Sequence, residues 1–168
     1  MIARQLPRYG EQRPLIQKAA EKGVPRIKLP HAWLAGTNDF SFSGIKTALL
    51  RMVEGGKISL EEDKQTDLPS KFDAAASFQK VVVEVLVSKT IALAQETGVK
   101  QILVAGGVAA NKVLRQHLLE TSPLPVFIPS MILCTDNAAM IAACGYFRYQ
   151  AGRVDNLDLD AIPNLKLG

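Results

Sequence analysis

The sequence predicts an α/β fold with at least one right-handed parallel crossover, and three observations carry that expectation. Strand, helix, strand and helix signals alternate through the second half, the order that builds a parallel pair. One helical pattern without glycine or proline runs over residues 70–97, long enough to organise a layer around itself. The 168 residues are 48% hydrophobic and 21% charged, the balance of a globular domain with a core and too apolar for a disordered chain.

Taken in order, residues 11–23 predict a helix with Leu15, Ile16 and Ala19 on its apolar side and Gly23 as its stop. Pro25 and Pro30 bracket an extended segment over 24–29. Phe40 and Phe42 alternate with polar neighbours as in a half-buried strand. Ser43-Gly44 then opens a helix over 45–53, closed by Gly55-Gly56. Residues 57–69, with Glu61-Glu62-Asp63, predict a polar surface excursion ending at Pro69. The long helix follows, stopped by Gly98, with Phe72, Ala75, Ala76, Val82, Leu86 and Ile91 on its apolar face. Gln101 to Val104 read as a short buried strand, and a helix over 109–119 begins directly after Gly106-Gly107. A second strand over 126–128 follows Pro123 and Pro125, and Thr135-Asp136-Asn137 caps a helix over 138–150. The expected domain is a single unit over 1–168, with 152–168 as a surface tail.

Composition excludes several classes. No window approaches the roughly 20 apolar residues that span a bilayer, since Glu84 interrupts the best run, Val81 to Val87. No secretory leader is read after Met1. Cys134 and Cys144 are too few for a disulfide framework, so a reducing, cytoplasmic setting is expected. The net charge of +4 is uneven. Residues 1–57 hold ten basic and four acidic side chains, a surplus of six, and the rest of the chain carries −2. That pattern suits either a solvated face or a polyanionic partner.

Three places carry chemistry. In Leu103-Val104-Ala105-Gly106-Gly107-Val108-Ala109-Ala110-Asn111 a strand runs into two glycines and a helix. Gly106 and Gly107 permit close backbone approach, the first helical amides attract anions, and Asn111 offers a donor and an acceptor to a nucleotide. A tight turn without a ligand reads equally well, because neither a Walker loop nor a full Gly-x-Gly-x-x-Gly is present. At Cys134-Thr135-Asp136-Asn137 the plain reading is a helix cap. In Phe40-Ser41-Phe42-Ser43-Gly44-Ile45-Lys46-Thr47 the hydroxyls and Lys46 suit a phosphate, or Ser43 simply caps a helix. His31 and His117 lie far apart, so no zinc motif is formed. Trp33, beside His31, reads as a packing anchor.

Together, Asp39-Phe40-Ser41-Phe42-Ser43-Gly44-Ile45-Lys46-Thr47, Ala74-Ala75-Ala76-Ser77-Phe78-Gln79, Gly106-Gly107-Val108-Ala109-Ala110-Asn111 and Cys134-Thr135-Asp136-Asn137-Ala138-Ala139-Met140-Ile141-Ala142 resemble, in order and spacing, the tRNA adenosine threonylcarbamoyltransferase family. That family is also known as the glycoproteases or O-sialoglycoprotein endopeptidases. The resemblance covers residues 14–155 and corresponds to the C-terminal half of the family. It implies one lobe of an actin-like, sugar-kinase-like ATPase fold. The implied reaction moves a threonylcarbamoyl group from its adenylate to the exocyclic amine of the adenosine 3′ of a tRNA anticodon. By the same resemblance Asn111, with the Gly106-Gly107 turn, contacts ATP or the adenylate, and Asp136 is one ligand of a single metal, iron or zinc. Asp136 is expected to act as cap and ligand at once. The implied partners are tRNA, other subunits of a tRNA-modification complex and, through bare apolar surface, a second copy of the chain, with no membrane.

The departures bear on activity. The family's two metal histidines and phosphate loops lie in its N-terminal half, outside the resemblance. Where the family usually carries Tyr-Pro-Gly-Gly-Pro, this sequence reads Tyr9-Gly10-Glu11-Gln12-Arg13-Pro14, and Gln17 stands where an acidic residue is common. Arg13 in place of a glycine against the nucleotide favours an alternative, a non-catalytic partner or scaffold of the same fold. A peptidase ranks last, because no protease metal motif or nucleophile–base set is present.

Overall fold

The longest helix explains the arrangement of the other elements. The computed structural model describes residues 15–31, 33–34, 36–61, 67–160 and 162. Within it helix α3 spans Lys71–Glu96. Ser70 caps it: the Ser70 Oγ accepts from the Asp73 N–H at 3.1 Å, and the Asp73 carboxylate accepts from the Ser70 N–H at 2.9 Å. That reciprocal pair satisfies donors a helix start otherwise leaves unmet. Helix α1 (Leu15–Ala20) lies against α3, and helix α2 (Ser43–Glu54) packs over one side of it. Ile27, Leu29, Ile45, Ile58 and Val81 form the core there.

The opposite side of α3 meets helix α4 (Lys112–Thr121) through Val83, Val87, Leu114 and Leu118. Strands β1 (Ile102–Leu103) and β2 (Val126–Phe127) flank α4 in the chain and pair in parallel, with Ile102 opposite Val126 and Leu103 opposite Phe127. The Ile102 N–H donates to the Pro125 carbonyl at 2.9 Å and the Val104 N–H to that of Phe127 at 3.0 Å. Val104 and Val126 pack on the α3–α4 cluster, whereas Leu103 and Phe127 face outward and are exposed. Helix α5 (Ala138–Gln150) follows, and residues 151–160 form neither helix nor strand and are exposed. The expected α/β class and the parallel pair are thus observed. No helix among the described residues is long and apolar enough to cross a membrane.

Several expectations are corrected. In α1 the buried residues are Gln17 and Ala20, while Leu15 and Ile16 are exposed. Of the face expected on α3 only Ala76 is buried. The helix is covered on two sides, so Val81, Val83, Val85 and Val87 all enter the interior, with Asp73, Ser77 and Lys89. The stretch around Phe40 and Phe42 is not a strand. Phe40 makes a single bridge to Trp33, and the two phenylalanine rings stack 6.2 Å apart. Ser43 does not cap α2; it is the first helical residue, and its hydroxyl lies 3.1 Å from that of Ser41. The excursion after Lys57 is anchored at its base, because Ile58 is buried and Ser59 pairs with Ser70.

The buried polar side chains on α3 hold the irregular segments that lack ladders of their own. The Ser77 Oγ accepts from the Ile27 N–H at 3.0 Å. The Lys89 ammonium donates to the carbonyls of Leu34, Thr37 and Asp39 at 3.2, 2.9 and 2.6 Å. It also sits over the rings of Trp33 and Phe40, a favourable place for a cation. Trp33, expected as a packing anchor, is half exposed and serves as one face of this cation site.

Candidate functional site

The strand-to-helix turn is built as its residue types require. Gly106 leaves β1 at φ 87°, ψ 173°, a conformation that only glycine adopts readily. A single 3₁₀ turn, Gly107–Ala110, follows, so α4 starts at Lys112 and not directly after the glycines. Asn111 is therefore the cap of α4 and not a first-turn residue. Its Oδ1 accepts from the Leu114 N–H at 3.1 Å, and its Nδ2 donates to the Gln79 Oε1 at 3.0 Å. An amide has two N–H groups and two acceptor lone pairs, so one of each stays available to a ligand. A Cβ on Gly107 would meet no heavy atom within 4 Å, and its φ is unremarkable, so the backbone there is open to close approach.

The second segment resolves its three capping candidates in favour of Asn137. Its Oδ1 accepts from the Met140 N–H at 3.0 Å, and its Nδ2 donates to the Thr135 carbonyl at 2.9 Å. Asp136 is consequently not the cap, which corrects the expected double role. Its carboxylate is exposed and makes no hydrogen bond or ion pair among the described residues.

The sequence reading missed the group that joins these two segments. The Arg115 guanidinium donates to the Ala109 carbonyl at 2.9 Å and to the Pro129 carbonyl at 2.7 Å, and lies 3.5 Å from the buried Cys134 sulfur. One planar fork thus ties the glycine turn to the loop that leads to Asp136, with charge-assisted bonds that are strong away from water. A signal was present: Arg115 stands four residues after the Asn111 cap, and so one helical turn above it. Gln79, which orients Asn111, ends one of the segments that carry the resemblance, but nothing along the chain pairs it with Asn111 across 32 residues. Gln79 also lines a cleft of about 350 Å³ between α1, α3 and α4, which His117 borders.

Other expected residues stay apart. His31 is exposed and His117 half-buried. Among the described residues no three His, Cys, Asp or Glu side chains are grouped so as to hold a metal ion. Asp136 by itself cannot hold a metal ion, which takes several ligands at once. The altered segment from Tyr9 to Pro14, with Arg13, lies outside the described residues.

A family described as tRNA N6-adenosine threonylcarbamoyltransferase matches residues 1–143. Three proteins of that name illustrate the similarity. The one from Dehalococcoides mccartyi (strain CBDB1) is 56% identical over 154 residues, covering 92% of this chain and 44% of the relative. The one from Thermomicrobium roseum is 48% identical over 168 residues, covering 92% and 46%. The one from Clostridium botulinum (strain Kyoto / Type A2) is 47% identical over 160 residues, covering 92% and 45%. The chain thus spans less than half the length of the relatives it matches.

Proposed function

Because the chain belongs to the tRNA N6-adenosine threonylcarbamoyltransferase family, whose fold is the actin-like ATPase fold, we propose that it supplies the nucleotide side of a tRNA threonylcarbamoyltransferase. In that reaction the amine of a tRNA adenosine attacks the carbamoyl carbonyl of threonylcarbamoyl adenylate. A nitrogen–carbon bond forms, the carbon–oxygen bond to phosphate breaks, and AMP departs with the electron pair while the amine releases a proton. In this reading Gly106 and Gly107 admit the nucleotide against bare backbone. Asn111, held by Gln79 and by its own cap bond, turns its remaining N–H and lone pair to it. Asp136 contributes one carboxylate to a metal, iron or zinc, whose other ligands come from outside the described residues. When bound, that metal is a Lewis acid toward the carbonyl or the phosphate.

The observation that carries this reading is the juxtaposition made by Arg115. A glycine turn with a half-satisfied asparagine and a loop with an unpartnered carboxylate are fixed to one guanidinium. Calorimetric titration of the chain with ATP and Mg²⁺ tests it. Binding is expected, with at least a tenfold loss in Asn111→Ala. That variant also loses a cap worth about 1 kcal/mol, so its fold is checked by urea denaturation. Gly107→Ala is expected to leave stability within about 0.5 kcal/mol while weakening ATP severalfold, since its methyl enters only open space. Absence of binding by the folded chain, or binding indifferent to Asn111→Ala, contradicts the reading.

A further inference from the structure

We propose that Trp33 and Phe40 form a stacking platform for an unpaired base of an RNA strand. The two residues stand opposite each other in an isolated antiparallel bridge, which puts both rings on one side of the backbone. The buried Lys89 ammonium lies 5.5 Å from the centre of the Trp33 ring and 5.7 Å from that of Phe40, so one cation backs both. Its three carbonyl partners hold it there. The two residues are nonetheless 50% and 44% exposed. A flat ring that meets a buried cation on one face and is still half exposed has its other face open. An open aromatic face fixed from behind is a surface on which a base stacks. Phe42, stacked against Phe40 at 6.2 Å, extends the aromatic surface to the start of α2.

Charge selects the occupant. Residues 15–57 carry seven basic and three acidic side chains. Along the segment that leads to Trp33, Ile27 and Leu29 are buried and Lys28 between them is exposed. Lys28 and His31 line a groove of about 270 Å³ with Arg26, Lys80 and Glu84. Arg26 and Lys80 are engaged by Asp73 and Glu84. The side chains of Lys28 and His31 make no hydrogen bond or ion pair among the described residues. Lys46, one turn beyond Phe42, is exposed as well. Asp39 is the one carboxylate between Val24 and Phe42. Exposed rings beside unpartnered basic groups match a strand of phosphates that carries planar bases, whereas an apolar protein surface would leave those groups unmet. That the strand is RNA rests on the tRNA reading given above; the platform and its basic groups do not.

Trp33 is the single tryptophan of the chain, so its fluorescence reports on the platform alone. Titration of the chain with an oligoadenylate of about ten nucleotides is expected to quench it, and the same strand held in a duplex is expected not to. Anisotropy of the labelled strand should show at least a tenfold loss of affinity in Trp33→Ala, and recovery to within about threefold of the native chain in Trp33→Phe, which keeps a ring over Lys89. Lys28→Ala should weaken binding severalfold and flatten its dependence on salt, because one phosphate contact is gone. Leu15→Ala, at an exposed residue of α1, should change nothing. Circular dichroism checks that each variant folds. An unquenched tryptophan, equal affinity for strand and duplex, binding indifferent to Trp33→Ala, or self-association of the chain that Trp33→Ala abolishes overturns the proposal. The titration contains neither ATP nor metal, so failure of the platform and failure of the nucleotide reading are told apart.

Discussion

Replacing Asp73 by alanine is expected to cost about 3 kcal/mol or more at neutral pH, because one carboxylate organises the junction of three segments. It accepts from the Val24 N–H at 2.8 Å, from the Ser70 N–H at 2.9 Å and from the Arg26 Nε at 3.0 Å. The residue is 7% exposed. Burial pushes its carboxyl upward, but the bonds from Val24, Ser70 and Arg26 outweigh burial and hold it at about 2, below the ordinary 3.8. Arg26 is half exposed, so water weakens its share and the two backbone donors lead. Because the folded value is depressed, the stabilisation is complete above 3.8 and fades as pH falls from there through about 2. Urea denaturation across that window should show the native chain losing on the order of 2 kcal/mol that Asp73→Asn does not lose. Parallel pH profiles for the two proteins would refute the assignment.

Gly23→Ala is expected to be comparably damaging for a different reason. A Cβ at Gly23 would lie 2.2 Å from the carbonyl carbon and oxygen of Phe72 and 2.5 Å from the Asp73 nitrogen. These are backbone atoms of the first turn of α3, and close-packed helix backbone does not move aside as a flexible side chain does. The chain after α1 must lift away, uncovering Gln17 and Ala20 and pulling the Val24 N–H from Asp73. A loss of about 3 kcal/mol or more is expected by urea denaturation at pH 7, at the upper end of overpacking effects. The two substitutions share the Val24 bond, so their double variant should cost less than the sum. A Gly23→Ala protein within about 0.5 kcal/mol of the native chain would contradict the geometry.

Local signals made the elements legible, and long-range pairing decided which faces they bury. Ser70 and the uninterrupted run to Thr97 announce α3, and its capping box is formed by residues three apart, a relation visible along the chain. Its buried side was misread because helical periodicity singles out one stripe, whereas α3 is covered on two. The polar residues there, Asp73, Ser77 and Lys89, can be buried because Val24, Ile27 and the carbonyls of Leu34, Thr37 and Asp39 satisfy them, and those partners lie 49 or more residues away along the chain. The phenylalanine alternation at Phe40 and Phe42 misled for a related reason: the two rings stack on each other, and Phe40 faces the Lys89 cation, without a partner strand. The place of Asn111 next to the glycine turn was legible in the sequence, though as a first-turn residue and not as the cap of α4 that it is. The choice among Thr135, Asp136 and Asn137 was not, since all three side chains suit a cap. Asn137 takes it with extended backbone at φ −150°, ψ 152°, which leaves Asp136 free.

The most direct test is threonylcarbamoylation of tRNA by the chain co-expressed with the unmatched part of the Dehalococcoides mccartyi relative, with threonylcarbamoyl adenylate as donor. Modified adenosine is expected from the native assembly. A loss of at least a hundredfold is expected from Asp136→Ala, with the complex still forming and ATP still binding. Equal activity in the Asp136→Ala assembly would contradict the role given to Asp136, and no activity from a native assembly that has formed and binds ATP would contradict the assignment of this chain to the transferase.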